Sequence, residues 1–172
     1  MDNLDEEYER LVAEARERAR GGGRSAAHDY LDLRAANDAA RGRGVEWLLG
    51  LFMAAAGELN RAGAGLALTR TDAHRFRVGA STMVGARLVL RRGVRQLTVE
   101  AGWPRAPRDG IVRGGGLASA LVGHFGDARA GDELLLVPEP DSDARWFVLE
   151  KNGDRAELHP KHLKRHLTRL MD

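Results

Sequence analysis

The sequence predicts an α+β fold in which helices come first, a curved antiparallel sheet of six to eight strands follows, and a C-terminal helix closes the domain. Two observations carry most of that expectation. Apolar residues recur with a period near 3.6 up to Gly63 and with a period of 2 after it, the signatures of an amphipathic helix and of a half-buried strand. Short glycine turns, Gly79-Ala80-Ser81 and Arg92-Gly93, separate the alternating runs, as in a meander with one wet face. The expected parts are a helical region over 1–62, the sheet over 64–158 and the closing helix over 160–171, all within one domain of 172 residues.

Residues 4–20 place Leu4, Tyr8, Leu11, Val12, Ala15 and Ala19 on one stripe of a first helix. Gly21, Gly22 and Gly23 are expected to stop it. Ser25 is a suitable N-cap for a second helix to about Ala40, and Arg41-Gly42-Arg43-Gly44 is read as a break. A third helix, from Val45 to about Arg61, is apolar nearly all the way round and is expected to be the central buried one. In the sheet, Leu66, Leu68, Phe76, Val78, Val84, Ala86, Leu88, Leu90, Leu97, Val99 and Ala101 take the apolar parity. Asn152-Gly153 is the preferred pair for a two-residue type I′ turn. It would set Glu150 against Arg155 and Leu149 against Ala156. Pro160 suits the first position of the last helix, whose stripe is Leu163, Leu167, Leu170 and Met171.

The chain has no cysteine, which excludes disulfides and thiolate metal sites and fits a cytoplasmic location. Its N-terminus, MDNLDEEYER, is acidic where a targeting signal would be basic. The longest uncharged apolar run, Trp47 to Gly57, is too short to span a bilayer, so no membrane role is expected. Net charge is only +2, but it is unevenly distributed. Met1 to Ala40 holds ten acids and six arginines, whereas Arg70 to Arg113 holds ten arginines and three acids.

Strand parity turns this asymmetry into a site. If the apolar residues face the helices, Arg75, Arg77, Arg87 and Arg91 share the other surface. Guanidinium groups crowded there would favour an anion, with phosphate the natural partner. The leading expectation is therefore a non-catalytic binding protein for a polyanion, nucleic acid being the commonest. A solvated face, or one neutralised by the acidic first helix, is the plain alternative. The same parity puts Glu100 on the arginine face, where His74 or His124 could complete an acid–base pair for metal-independent phosphodiester chemistry. A third reading is a protein-interaction or assembly subunit, as a homo-oligomer or with another protein, docking through the first or the last helix.

Other patterns are weaker. His159-x-x-His162-x-x-x-His166 has helical spacing for a shared metal, but Lys161, Lys164 and Arg165 surround it and no acid offsets them. Asp141-Ser142-Asp143 lies among prolines and reads as a turn. Gly114-Gly115-Gly116 is neither a Walker loop nor a dinucleotide fingerprint. Gly123-His124-Phe125-Gly126-Asp127 sets a histidine between glycines at a strand end. No cofactor is implied.

Overall fold

The computed structural model describes residues 2–20 and 24–172, with side chains over 8–17 and 25–172. The glycine stop at 21–23 and the stripe positions Leu4 and Ala19 lie outside what is described. Two helices, α1 (Asp2–Arg20) and α2 (Arg24–Arg61), precede the sheet. Seven antiparallel strands follow in sequence order: β1 (Ala67–Val78), β2 (Ser81–Arg92), β3 (Arg95–Trp103), β4 (Ala118–His124), β5 (Asp127–Glu139), β6 (Ser142–Leu149) and β7 (Arg155–Glu157). Helix α3 (Pro160–Met171) ends the chain. Among the described residues, no helix is long and apolar enough to cross a membrane.

The second and third expected helices are one. Gly42 and Gly44 do not break α2, because the sheet uses Gly44 as a point of close approach. A Cβ there would lie 2.5 Å from Leu136 Cδ2, and the Gly44 carbonyl accepts the indole N–H of Trp146 at 2.9 Å. One turn earlier, Arg41 Nε donates to the Leu117 carbonyl at 2.9 Å. Tertiary contacts therefore offset the weak helix propensity of glycine, about 1 kcal/mol per residue. Nor is α2 buried all round. Val45, Leu48, Leu49, Phe52 and Ala56 enter the core, whereas Trp47 is 54% exposed and Met53 is 39% exposed. At the other end, α1 meets the first half of α2, with Arg34 donating to the Tyr8 hydroxyl at 2.7 Å.

The main core lies between the sheet and the helices. Ala86, Leu88, Leu90, Leu97, Val99, Ala101, Ala120, Val122, Leu134, Leu136, Trp146 and Val148 meet α2 and the Leu163, Leu167 and Leu170 stripe of α3. We call this the helix face. The opposite face carries a smaller core of Phe76, Val78, Met83, Val112 and Leu135 at one end. Its other end is open, and there the polar residues of β1–β3 gather. Glycine shapes the passage between the two ends. Gly85 and Gly102 are direct partners in the β2–β3 ladder, and a Cβ on Gly85 would stand 1.9 Å from the Ala101 carbonyl oxygen. The backbones approach there more closely than any side chain allows.

The last hairpin also departs from expectation. Its pairs are Leu149 with Arg155, Val148 with Ala156 and Phe147 with Glu157, one residue out of the register expected for a two-residue loop. A type I′ turn needs positive φ at both central residues, but only Gly153 has it, at 88°. The Asn152 side chain instead accepts the Asp154 amide at 3.0 Å, and Gly153 N–H closes a turn on the Glu150 carbonyl at 3.0 Å. The loop is thus three residues with a left-handed glycine. The expected Glu150–Arg155 pair gives way to Arg155 donating to the Gly114 carbonyl at 3.1 Å and Arg145 pairing with Glu157 at 3.3 Å.

Candidate functional site

The open end of the second face is built from three rows across the strands. Thr71, Arg87 and Glu100 are direct partners in one row, Thr69, Val89 and Thr98 in the next, and Ala67, Arg91 and Gln96 in the third. Partners across a ladder point to the same side, so Arg87, Arg91 and Glu100 share this face, as their parity requires.

Arg75 and Arg77 do not. Between Thr71 and His74 the ladder slips, three positions of β1 opposing two of β2, and Ala73 takes φ 52°. A non-glycine residue in the left-handed region costs about 1–2 kcal/mol, and a bulge of this kind re-aims the side chains beyond it. Past the bulge, His74, Phe76 and Val78 point to the second face, while Arg75 and Arg77 pair with Val84 and Thr82 toward the helix face. The expected quartet is split two and two. Both displaced arginines are also engaged, Arg75 by Asp109 at 3.2 Å and Arg77 by the Ala80 carbonyl at 3.1 Å.

The acid neutralising Arg75 comes from the turn Pro107–Asp109, not from α1. Burial alone would raise the Asp109 carboxyl. The amides of Arg105 and Ala106, at 3.2 and 3.1 Å, and the Arg75 guanidinium outweigh it and hold the carboxyl below the usual carboxylate range.

The same bulge creates the arrangement of interest. His74 Nε2 lies 2.6 Å from Glu100 Oε1, with both side chains 22% exposed. Its ring stacks on Phe76, centroids 6.0 Å apart and planes 9° from parallel. The positions beside His74 on this face are Gly85 and Gly102, so no neighbouring side chain competes for the space. Because Glu100 turns to His74, Arg87 directly opposite is left without a carboxylate. Its Nε is buried and is the one buried side-chain nitrogen or oxygen among the described residues that has no hydrogen-bond partner. Beside it, Ala67, Thr69, Val89, Arg91 and Gln96 complete a recess of about 240 Å³. Arg91 donates to Gln96 Oε1 at 2.9 Å, which holds the recess wall.

His124, the other expected partner of Glu100, is elsewhere. It lies on the helix face opposite Leu97 and Asp127 and bonds His166, Nε2 to Nδ1, at 3.0 Å. The α3 histidines are committed to the chain itself. His162 Nδ1 accepts the His159 amide at 3.0 Å, capping the helix, and His166 Nε2 meets Asp132 Oδ2 at 2.7 Å. No cluster fit to hold a metal occurs among the described residues. The sequence spacing missed the His166–Asp132 contact because it joins α3 to β5 across 34 residues. Helix α3 also buries its leucine stripe in the core, so that stripe is not a free docking face.

Two histidines are held below the ordinary value of about 6.5. Burial lowers His124, helped by His166 and Arg169 and opposed by Asp127 and Asp132. Burial also lowers His162, against the hydrogen bond from the His159 amide. The unfolded chain then takes up protons that the fold refuses, so stability is full above about pH 6.5 and is lost as pH falls through the lowered values. Thermal melts from pH 8 to pH 5 should show Tm falling below about 6.5. A Tm flat across that window would contradict it. No known protein family, curated protein or solved structure matches the chain.

Proposed function

We propose that the open end of the second sheet face is a non-catalytic binding site, which takes a single anionic group, a phosphate or carboxylate. One observation carries this reading: the buried, unsatisfied Arg87 Nε beside a recess of about 240 Å³. A buried donor without an acceptor costs about 1–3 kcal/mol, and native proteins leave very few. An anion in the recess would satisfy it, with Arg91 as the second cation on the same face.

The split of the arginines narrows the ligand. A nucleic-acid track needs a row of cations, and Arg75 and Arg77 do not extend this one. Calorimetric titration with inorganic phosphate should show saturable binding that Arg87→Met weakens about 10- to 100-fold, the worth of a hydrogen bond to a charged group. Its salt dependence should be that of one or two charges. The slope of many released counterions, measured with an oligonucleotide, would restore the polyanion reading, and no phosphate binding at all would remove this one.

A second reading rests on the 2.6 Å contact between His74 and Glu100. A carboxylate that orients an imidazole beside an arginine is a workable acid–base set for phosphodiester cleavage. A Glu100→Gln variant that keeps phosphate binding but loses a measurable turnover would favour it. No turnover by the native chain on RNA or DNA would count against it.

A further inference from the structure

The His124 contact on the helix face is more than a docking bond. Asp132 on β5, His166 on α3 and His124 on β4 stand in line, with 2.7 Å from carboxylate to His166 Nε2 and 3.0 Å from His166 Nδ1 to His124 Nε2. The two ring planes are 23° apart and the centroids 5.2 Å, so the rings meet edge to edge along this hydrogen bond. His166 is 3% exposed.

The line fixes where the protons sit. The hydrogen bond from His166 and the nearby Arg165 outweigh burial and hold the Asp132 carboxyl below the usual range, so it is ionised. It therefore accepts from His166 Nε2–H. With both rings neutral, His166 Nδ1 is the acceptor for His124 Nε2–H, which leaves the His124 lone pair on Nδ1. That atom has no partner, yet it is not among the buried unpaired atoms, so it reaches solvent. His124 lines an open cleft of about 470 Å³ between the β2–β3 turn, the β4–β5 turn and the end of α3. The cleft is also lined by Val94, 93% exposed, Phe125, 80% exposed, and Arg95.

We infer that His124 is the general base of a second site, which hydrolyses small carboxylic esters with an apolar edge. His166 and Asp132 are positioning residues: His166 holds the His124 ring through its Nε2, and the Asp132 carboxylate behind it favours the charge that forms on His124, as a carboxylate behind an imidazole does. Water bound at the cleft gives a proton to His124 Nδ1 as its oxygen bonds to the ester carbonyl carbon. The tetrahedral adduct then breaks its bond to the alcohol oxygen, which takes the proton back from Nδ1. Acid and alcohol leave, and the histidine is restored. Val94 and Phe125 offer apolar walls to the ester. Arg95, without an ion pair among the described residues, supplies positive potential for the oxyanion. The groups around the base are His166 and Arg169 from α3, Asp172 just after it, Asp127 and Asp132 from β5, and Arg95 from β3.

The probe is p-nitrophenyl acetate. The chain should hydrolyse it with kcat/KM at least about ten times the second-order constant of free imidazole at the same pH, since a positioned base outperforms a free one. His124→Gln should abolish that excess. Asp132→Asn should lower the rate and move the acidic limb of the pH profile to lower pH, because the carboxylate raises His124. Lys151→Gln, in the exposed loop between β6 and β7, should leave it unchanged. Should the variants fold poorly, carbethoxylation of the unaltered chain by diethyl pyrocarbonate, mapped by mass spectrometry, gives a second reading, with His124 reacting ahead of the exposed His28. A rate no higher than free imidazole, or His28 reacting first, would overturn the proposal.

Discussion

Gly85→Ala is expected to destabilise the fold by about 3 kcal/mol or more, at the upper end of overpacking costs. For a chain of this length that is a fall in Tm of about 6–12 °C. The added methyl would stand 1.9 Å from the Ala101 carbonyl oxygen and 2.6 Å from Gly102 Cα. These neighbours are backbone, so no rotamer change relieves the clash and the β2–β3 ladder itself must shift. Gly102→Ala should behave alike, since its Cβ would lie 2.5 Å from the Val84 carbonyl oxygen. Gly123→Ala on β4 is the control, because a Cβ there meets nothing within 4 Å. It should stay within about 0.5 kcal/mol of the native chain. Thermal melts of the three variants check the account, and equal Tm values for all three would refute it.

The Arg87→Met variant should separate binding from stability. Phosphate affinity falls about 10- to 100-fold, as argued above, while the ligand-free protein becomes no less stable and gains up to about 1 kcal/mol. Methionine fills a similar volume and removes a buried donor that nothing satisfies. Glu100 is not orphaned by the change, because its partner is His74 at 2.6 Å. An arginine kept for structural reasons would give the reverse pattern, a lower Tm with binding untouched. Residues that weaken the free fold yet hold a ligand are the ordinary cost of a binding site.

Much of the architecture was legible. The change of period after Gly63, the turns at Gly79 and Gly93, and the leucine stripe behind Pro160 all report local physics, and the structure follows them. What escaped the sequence depends on contacts distant along the chain. Gly44 reads as a helix breaker until Leu136 and Trp146 are packed against it. Asn152-Gly153 suggests a two-residue turn until the Asn152 side chain is seen to accept the Asp154 amide.

The site turned on one residue. With strict alternation, Arg75, Arg77, Arg87 and Arg91 would share a face. The bulge at Ala73 reverses everything after it, bringing His74 to Glu100 and sending two arginines away. A bulge inserts one residue without a composition of its own, and Thr71-Asp72-Ala73 carries no glycine to announce it. The partner of Glu100 was among the two histidines expected. The freedom of Arg87 was not foreseeable, since it depends on which neighbour Glu100 chooses.

The most direct measurement follows each arginine Nε–H by NMR while inorganic phosphate is added. Arg87 should show a slowly exchanging signal that moves to saturation, Arg91 should follow it, and Arg75 and Arg77 should stay still. If all four shift together, or Arg87 does not move, the bulged sheet has no anion pocket.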